Sequence, residues 1–231
     1  MTLPSLGTPE FHTTIPSTGQ EIAYRPFLVK EEKILLMAME GEDDREIQHA
    51  ILTILEDCII TDVDVNKLAV FDIEYLFLKL RGKSVGEMID LKISHTESDC
   101  DHKTEIRINL DDINVQGDIT DGKVQLTDDI GAKLRYPTIA DATRYDSGSP
   151  EGMFKMIASC VEFIYDQNNV YQDFTVDEMV EWLGGLNQSA FQKVTSFFEN
   201  LPKLTHDIKW TCKKCGENDS VKLEGLNSFF M

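Results

Sequence analysis

Residues 206–225 read HDIKWTCKKCGENDSVKLEG, and two of their cysteines stand at the spacing of a metal knuckle between runs that alternate apolar and polar side chains. A Cys-x-x-Cys-Gly turn aims backbone N–H groups at both sulfurs, and its glycine permits the positive φ that closes the turn. Cys212, Cys215 and Gly216 therefore make half of a tetrahedral zinc site. Of the other cysteines, Cys58, Cys100 and Cys160, only Cys100 lies in a comparable polar turn, residues 95–102 (HTESDCDH), between two strand-like runs. Pairing the two turns predicts a structural zinc held by Cys100, Cys212, Cys215 and His102, with His95 as the alternative fourth ligand; the competing reading is a degenerate ribbon that has lost its metal. Four protein ligands leave no open position for water. On this reading a hairpin from the middle of the chain closes on one from its end, and the helices between them form a long insertion.

Composition narrows the classes. A chain of 231 residues with 42% apolar content can bury a real core as one large or two small domains. No apolar run approaches the roughly 18 residues of a membrane span, and the first residues, MTLPSLGTPEF, lack the basic start and apolar run of a signal peptide, so a cytosolic site of synthesis is expected. Five cysteines with one close pair point to reduced thiols and a metal pair rather than a disulfide framework. The net charge of -19, from 41 acidic against 22 basic residues, disfavours phosphate backbones and nucleic-acid partners and suits a solvated acidic surface. No repeat is evident.

Along the chain, residues 11–15 and 21–24 flank a turn with Gly19 and predict a first hairpin. Residues 29–40 (VKEEKILLMAME) predict a helix with Ile34, Leu35, Leu36 and Met37 buried. Ile47, Ala50, Ile51, Ile54, Leu55 and Cys58 form the apolar stripe of a second helix, which makes Cys58 a core thiol. Asp72 can cap a third helix that packs Phe71, Tyr75, Leu76, Phe77 and Leu80 and stops near Gly82.

From Val85 the period changes to two: Ile89, Leu91 and Ile93 share one face, and Ile106, Ile108 and Leu110 repeat the pattern beyond the polar turn. Residues 111–129 are acidic and turn-rich, after which 124–126 and 132–136 can pair. Residues 137–149 read as a connector. Ser149 and Pro150 open a helix with Met153, Ile157, Cys160, Val161 and Ile164 on one face. Thr175 and Glu178 match a capping box, and Ser189 can cap the last helix. His206, on the apolar face of the final strand, reads as a packed histidine.

The expected fold is α+β, helical elements packed with small antiparallel hairpins that include a zinc-ribbon-like pair. Its divisions are 1–84 (hairpin and helices), 85–136 (β region), 137–203 (helical region) and 204–231 (knuckle hairpin). No phosphate-cradling loop, nucleophile elbow or metalloprotease histidine pair is present, and with 41 acids adjacent carboxylates arise by chance, so no catalytic residue is predicted. A zinc-ribbon adaptor for nucleic acid or another protein complex is the alternative, supported locally by Lys209, Lys213, Lys214 and Lys222.

Residues 16–38 (PSTGQEIAYRPFLVKEEKILLMA) and 71–87 (FDIEYLFLKLRGKSVGE) resemble the baseplate hub and hub-assembly protein family of T-even-type contractile-tailed bacteriophages. The likeness continues through the ribbon, residues 126–137 and the closing EGLNSFF. It implies a non-enzymatic structural or assembly protein, working through contacts with other baseplate and tail proteins in the host cytoplasm and in the virion tail. Members of the family often carry a full Cys-x-x-Cys in the first hairpin. Here Glu97 stands at the earlier position, so His95 or His102 must complete the set. Interface candidates are Arg25 and Phe27, within the resembling stretch, and Phe229 and Phe230 at the apolar chain end, which either fold back on the core or dock on a neighbour.

Overall fold

The computed structural model describes residues 7–41, 43–95, 100–145 and 148–229. The chain is α+β, with helices and several small antiparallel sheets divided between two compact units. Unit 1 comprises residues 1–65, 71–116 and 203–231, and unit 2 comprises 66–70 and 117–202.

Unit 1 begins with the hairpin β1 (Phe11–Thr14) and β2 (Glu21–Tyr24), followed by α1 (Val29–Glu40) and α2 (Asp44–Cys58). Asp43 caps α2 by accepting from the Arg45 N–H, and the predicted stripe is inward: Ala50, Ile51, Ile54, Leu55 and Cys58 are buried. In α1 the expectation fails. Only Glu31 and Ala38 are buried, whereas Leu36 and Met37 are 56% and 61% exposed. The inward stripe of α1 runs through positions 31, 35 and 38, and Ile34, Leu36 and Met37 fall off that face.

The third helix, α3 (Val70–Val85), is buried on all sides, as expected of a helix at the centre of a unit. Asp72 is not its cap. It sits inside the first turn, fully buried, and accepts the Ser17 backbone N–H at 2.9 Å. Lys79, also buried, donates to the carbonyls of Leu110, Asp111 and Ile113 at 2.8–3.3 Å. Unit 1 is completed by the hairpin β3 (Met88–Ile93) and β4 (Thr104–Asn109), and by a sheet of β5 (Asn114–Gln116), β10 (Lys203–Thr211) and β11 (Asn218–Glu224) in the order β11-β10-β5. β5 lies in the stretch read as turns.

Unit 2 holds β6 (Lys123–Gln125), β7 (Gly131–Leu134), α4 (Ile139–Arg144), α5 (Pro150–Ser159), β8 (Val161–Tyr165), β9 (Val170–Tyr171), α6 (Val176–Gly184) and α7 (Gln188–Glu199). Its sheet runs β6-β7-β8-β9, and its core gathers Leu126, Leu134, Ile157, Ile164, Met179, Leu183 and Val194. Three expectations are corrected. The helix opened by Ser149 ends at Ser159, and Val161 and Ile164 belong to β8, where β-branched and aromatic residues suit a strand between two partners. The connector contains α4, capped by Thr138 and Asp141. Asn187 rather than Ser189 caps α7.

One arrangement occurs twice, contrary to the absence of repeats in the sequence reading. After β2, the Arg25 N–H donates to the Cys58 carbonyl (3.0 Å), and its guanidinium donates to Glu31 (2.8 Å) and the Asp57 carbonyl (2.9 Å). Following β7, the Arg135 N–H donates to the Cys160 carbonyl (2.9 Å), and its guanidinium donates to Asp141 (2.6 and 3.0 Å) and the Ser159 carbonyl (2.8 Å). Each acid is the third residue of the following helix and also accepts the backbone N–H of the residue before that helix, Leu28 or Thr138. The chain then returns beside the same strand: Ile59 bridges Tyr24 and Val161 pairs with Leu134.

Candidate metal centre

The knuckle begins where β10 runs out. Cys212 donates its N–H to the Glu217 carbonyl (2.8 Å) and accepts the Gly216 N–H on its own carbonyl (2.9 Å), while Gly216 takes φ +78°. This closes a tight turn whose Lys214 N–H points at the Cys212 sulfur, 3.4 Å away. Cys212 is buried and Cys215 exposed at the tip.

The turn between β3 and β4 supplies the other side. One nitrogen of His95 and the sulfurs of Cys100, Cys212 and Cys215 lie within 4.8 Å of one another. Cys100 and Cys212 are 4.0 Å apart between sulfurs, and Cys215 Sγ is 3.4 Å from His95 Nε2. Metal–sulfur and metal–nitrogen bonds of about 2.3 and 2.0 Å set ligand–ligand edges of roughly 3.4–3.8 Å in a tetrahedron, so this donor set fits one metal ion. His102, the fourth ligand preferred from the sequence, is not in the group; His95, the alternative, is. Glu97 lies outside the described residues.

Two further contacts, which sequence reasoning missed, fix the arrangement. Asp219 Oδ2 lies 3.1 Å from His95 Nδ1, which leaves Nε2 to face the sulfurs, the usual way an outer carboxylate orients a metal-binding histidine. Lys214 Nζ donates to Asp101 at 2.8 Å and ties one turn to the other. The signal for Asp219 is only its place four residues beyond Cys215, on the returning strand. The Cys212 thiol is held well below its usual range, first by the Cys215 backbone N–H and then by His95. His95 is raised, first by its interaction with the Cys212 sulfur and then by Asp219. At Cys215 the Glu217 backbone N–H favours the thiolate, but burial and the neighbouring sulfurs outweigh it and raise the thiol.

The remaining cysteines are core thiols. Cys58 and Cys160 are fully buried, and burial pushes them up to about 11 and about 12. Of the interface candidates, Phe27 and Phe229 are 8% and 2% exposed inside unit 1, the Arg25 guanidinium is taken by Glu31 and two carbonyls, and Phe230 lies outside the described residues. His206 is half-buried in β10. Lys209, Lys213 and Lys222 lie on or between β10 and β11.

A family model described as T4 bacteriophage base plate protein matches residues 8–231, which include both Arg motifs and the whole His/Cys cluster. The chain belongs to that family. No curated protein and no solved structure matches it. Membership makes this a phage baseplate protein whose associations are with other tail proteins, and no helix among its described residues is long and apolar enough to cross a membrane.

Proposed function

We propose that this baseplate protein is a non-enzymatic component or assembly factor of the baseplate hub, put together in the host cytoplasm through protein–protein contacts. The family match across residues 8–231 carries this reading. Two observations support it. Predicted chemistry is lacking in the sequence, and α1 presents Leu36, Met37 and Met39, each at least 45% exposed, a run of large apolar side chains of the kind that another subunit covers.

Within that role, His95, Cys100, Cys212 and Cys215 hold one zinc, joining the β3–β4 and β10–β11 turns as a ribbon-like pair. A bound zinc supplies cross-linking rather than chemistry, since all four positions are protein donors. The nucleic-acid alternative gains nothing from the structure: Lys214 is engaged by Asp101, and the net charge of -19 opposes a phosphate partner.

Complementation of a phage lacking the gene tests the role, with tail assembly followed by electron microscopy and the tail proteins recovered with tagged protein identified. Replacing Leu36 and Met37 by Ser is expected to leave folding intact and block baseplate formation. Normal baseplates from that variant, with no tail protein recovered alongside the wild type, would overturn it. Elemental analysis of protein purified without chelators is expected to give about one zinc per chain.

A further inference from the structure

Unit 2 carries a second constructed feature, far in character from the His/Cys cluster. Between β8–β9 and α6 lies an open cavity of about 460 Å³ walled by Tyr165, Tyr171, Phe174 and Trp182, floored by Ile164 and Met179, and rimmed by two carboxylates, Asp166 and Glu178. Among the described residues, no lysine, arginine or histidine lines it. Four aromatic side chains around one space offer π-systems that attract a cation, and two anions at the rim add a negative field. That combination discriminates for a cation over a neutral apolar group.

The carboxylates are fixed by the backbone rather than by cations. Asp166 Oδ1 accepts the N–H groups of Asn168 and Asn169 at 2.7 and 2.8 Å, and its other oxygen accepts the Tyr171 hydroxyl at 2.8 Å, which also sets that ring. Glu178 Oε2 accepts the Thr175 N–H and hydroxyl at 2.7 and 2.8 Å. These backbone N–H bonds hold both groups below their ordinary range, so both are anionic at neutral pH. In each case these partners are local hydrogen-bond donors and carry no charge. Tyr171 is 50% exposed and Val170 beside it 60%, so the mouth opens to solvent on the β9 edge.

We propose that this pocket receives an arginine side chain, flanked by apolar residues, from another protein. A planar guanidinium stacks on aromatic faces and donates to carboxylates at once, which a compact ammonium does less well. A space of this size takes the guanidinium together with a neighbouring aliphatic side chain. That the owner is a tail protein rests on the baseplate reading; the preference for a guanidinium does not.

The test uses the whole protein and two peptides, acetyl-Leu-Arg-Leu-amide and its neutral isostere acetyl-Leu-citrulline-Leu-amide, titrated while the two tryptophan indole N–H resonances are followed. Trp182→Phe assigns them. The arginine peptide is expected to shift the Trp182 resonance saturably, leave Trp210 alone, and bind at least fivefold more tightly than the citrulline peptide. The double variant Asp166→Asn, Glu178→Gln keeps the acceptor oxygens that cap the turn and α6, and is expected to erase that difference. Equal binding of the two peptides, or no shift at Trp182, overturns the pocket's assignment whatever the baseplate role. If the arginine preference is found but the double variant, folded with an unchanged melting temperature, still builds baseplates, the tail-protein partner is overturned and the guanidinium site stands.

Discussion

The two arginine motifs put one device into different surroundings. In both, a guanidinium at the end of a strand spans the N-terminus of one helix, through its acid, and the C-terminal carbonyls of the next. The acid thus meets the positive end of a helix and the arginine the negative end of another. In unit 1 the residue before the helix is Leu28, whose side chain has no acceptor, so among the side chains only Glu31 serves the cap, and its carboxylate is fully buried. In unit 2 Thr138 and Asp141 cap reciprocally, and the Asp141 and Arg135 side chains remain 11% and 34% exposed. The difference teaches that one backbone scheme tolerates either a buried acid that caps alone or a slightly more exposed pair helped by a hydroxyl.

Unit 1 also contains the His/Cys cluster, so the greatest divergence between the units is expected from the metal proposed there. Cys212→Ser is expected to lose the zinc and lower the melting point of unit 1 far more than that of unit 2, because structural zinc sites supply on the order of 10 kcal/mol in small domains. Trp210 lies in unit 1 and Trp182 in unit 2, so single-tryptophan variants report each by fluorescence. Coincident loss of both signals would erase the distinction.

Next in size, Glu31→Ala strands Arg25 half-buried, and a loss of about 3–5 kcal/mol is expected in urea titrations read at Trp210. Asp141→Asn retains an acceptor and the Thr138 hydroxyl, and about 1–3 kcal/mol is expected at Trp182. A larger cost at Asp141 than at Glu31 would reverse the ranking.

The smallest effect is that of pH. Burial raises both carboxyls, but hydrogen bonds from Arg25 and Leu28, or from Arg135 and Thr138, more than offset it and bring Glu31 and Asp141 down to about 2, from ordinary values of 4.5 and 3.8. Because the folded values lie below the unfolded ones, the stability they contribute is complete above about pH 5 and is lost as pH falls towards 2. Melting curves from pH 7 to 3 are expected to show this decline, and Glu31→Gln is expected to flatten it at Trp210. An unaltered slope in that variant would remove Glu31 as its source.

What the sequence disclosed follows physical range. α2 was legible because its stripe is set by neighbours three and four residues apart, and α6 because Thr175 and Glu178 carry their own cap. The end of α5 was not, since Val161 and Ile164 continue the helical spacing and only β7 and β9 alongside make them a strand. Asp72 resembled a cap because its true partner, Ser17, is 55 positions away. At the candidate metal centre Cys212 and Cys215 announce themselves by spacing, whereas the placement of His95 beside them involves Asp219, 124 positions on. Arg25, read from the sequence as an interface candidate, has internal partners that pin α1 to α2. The repeat stayed hidden because it preserves an arginine and an acid and lets the rest vary.

β5 and β10 are antiparallel neighbours, Gln116 opposite Lys203, and the chain between them belongs to unit 2. This gives synthesis on the ribosome an order that the sequence order conceals. His95 and Cys100 emerge early, but Cys212 follows Cys100 by 112 positions, on the order of ten seconds at 5–20 residues per second. Residues 117–202, all of unit 2 except the short stretch 66–70 made earlier, are translated in that interval, so the later-starting unit is the first to have its whole chain. Unit 1 waits with its sheet incomplete until β10 and β11 arrive, and an interruption of translation just after residue 202 yields a chain whose second unit is complete and whose first lacks both strands.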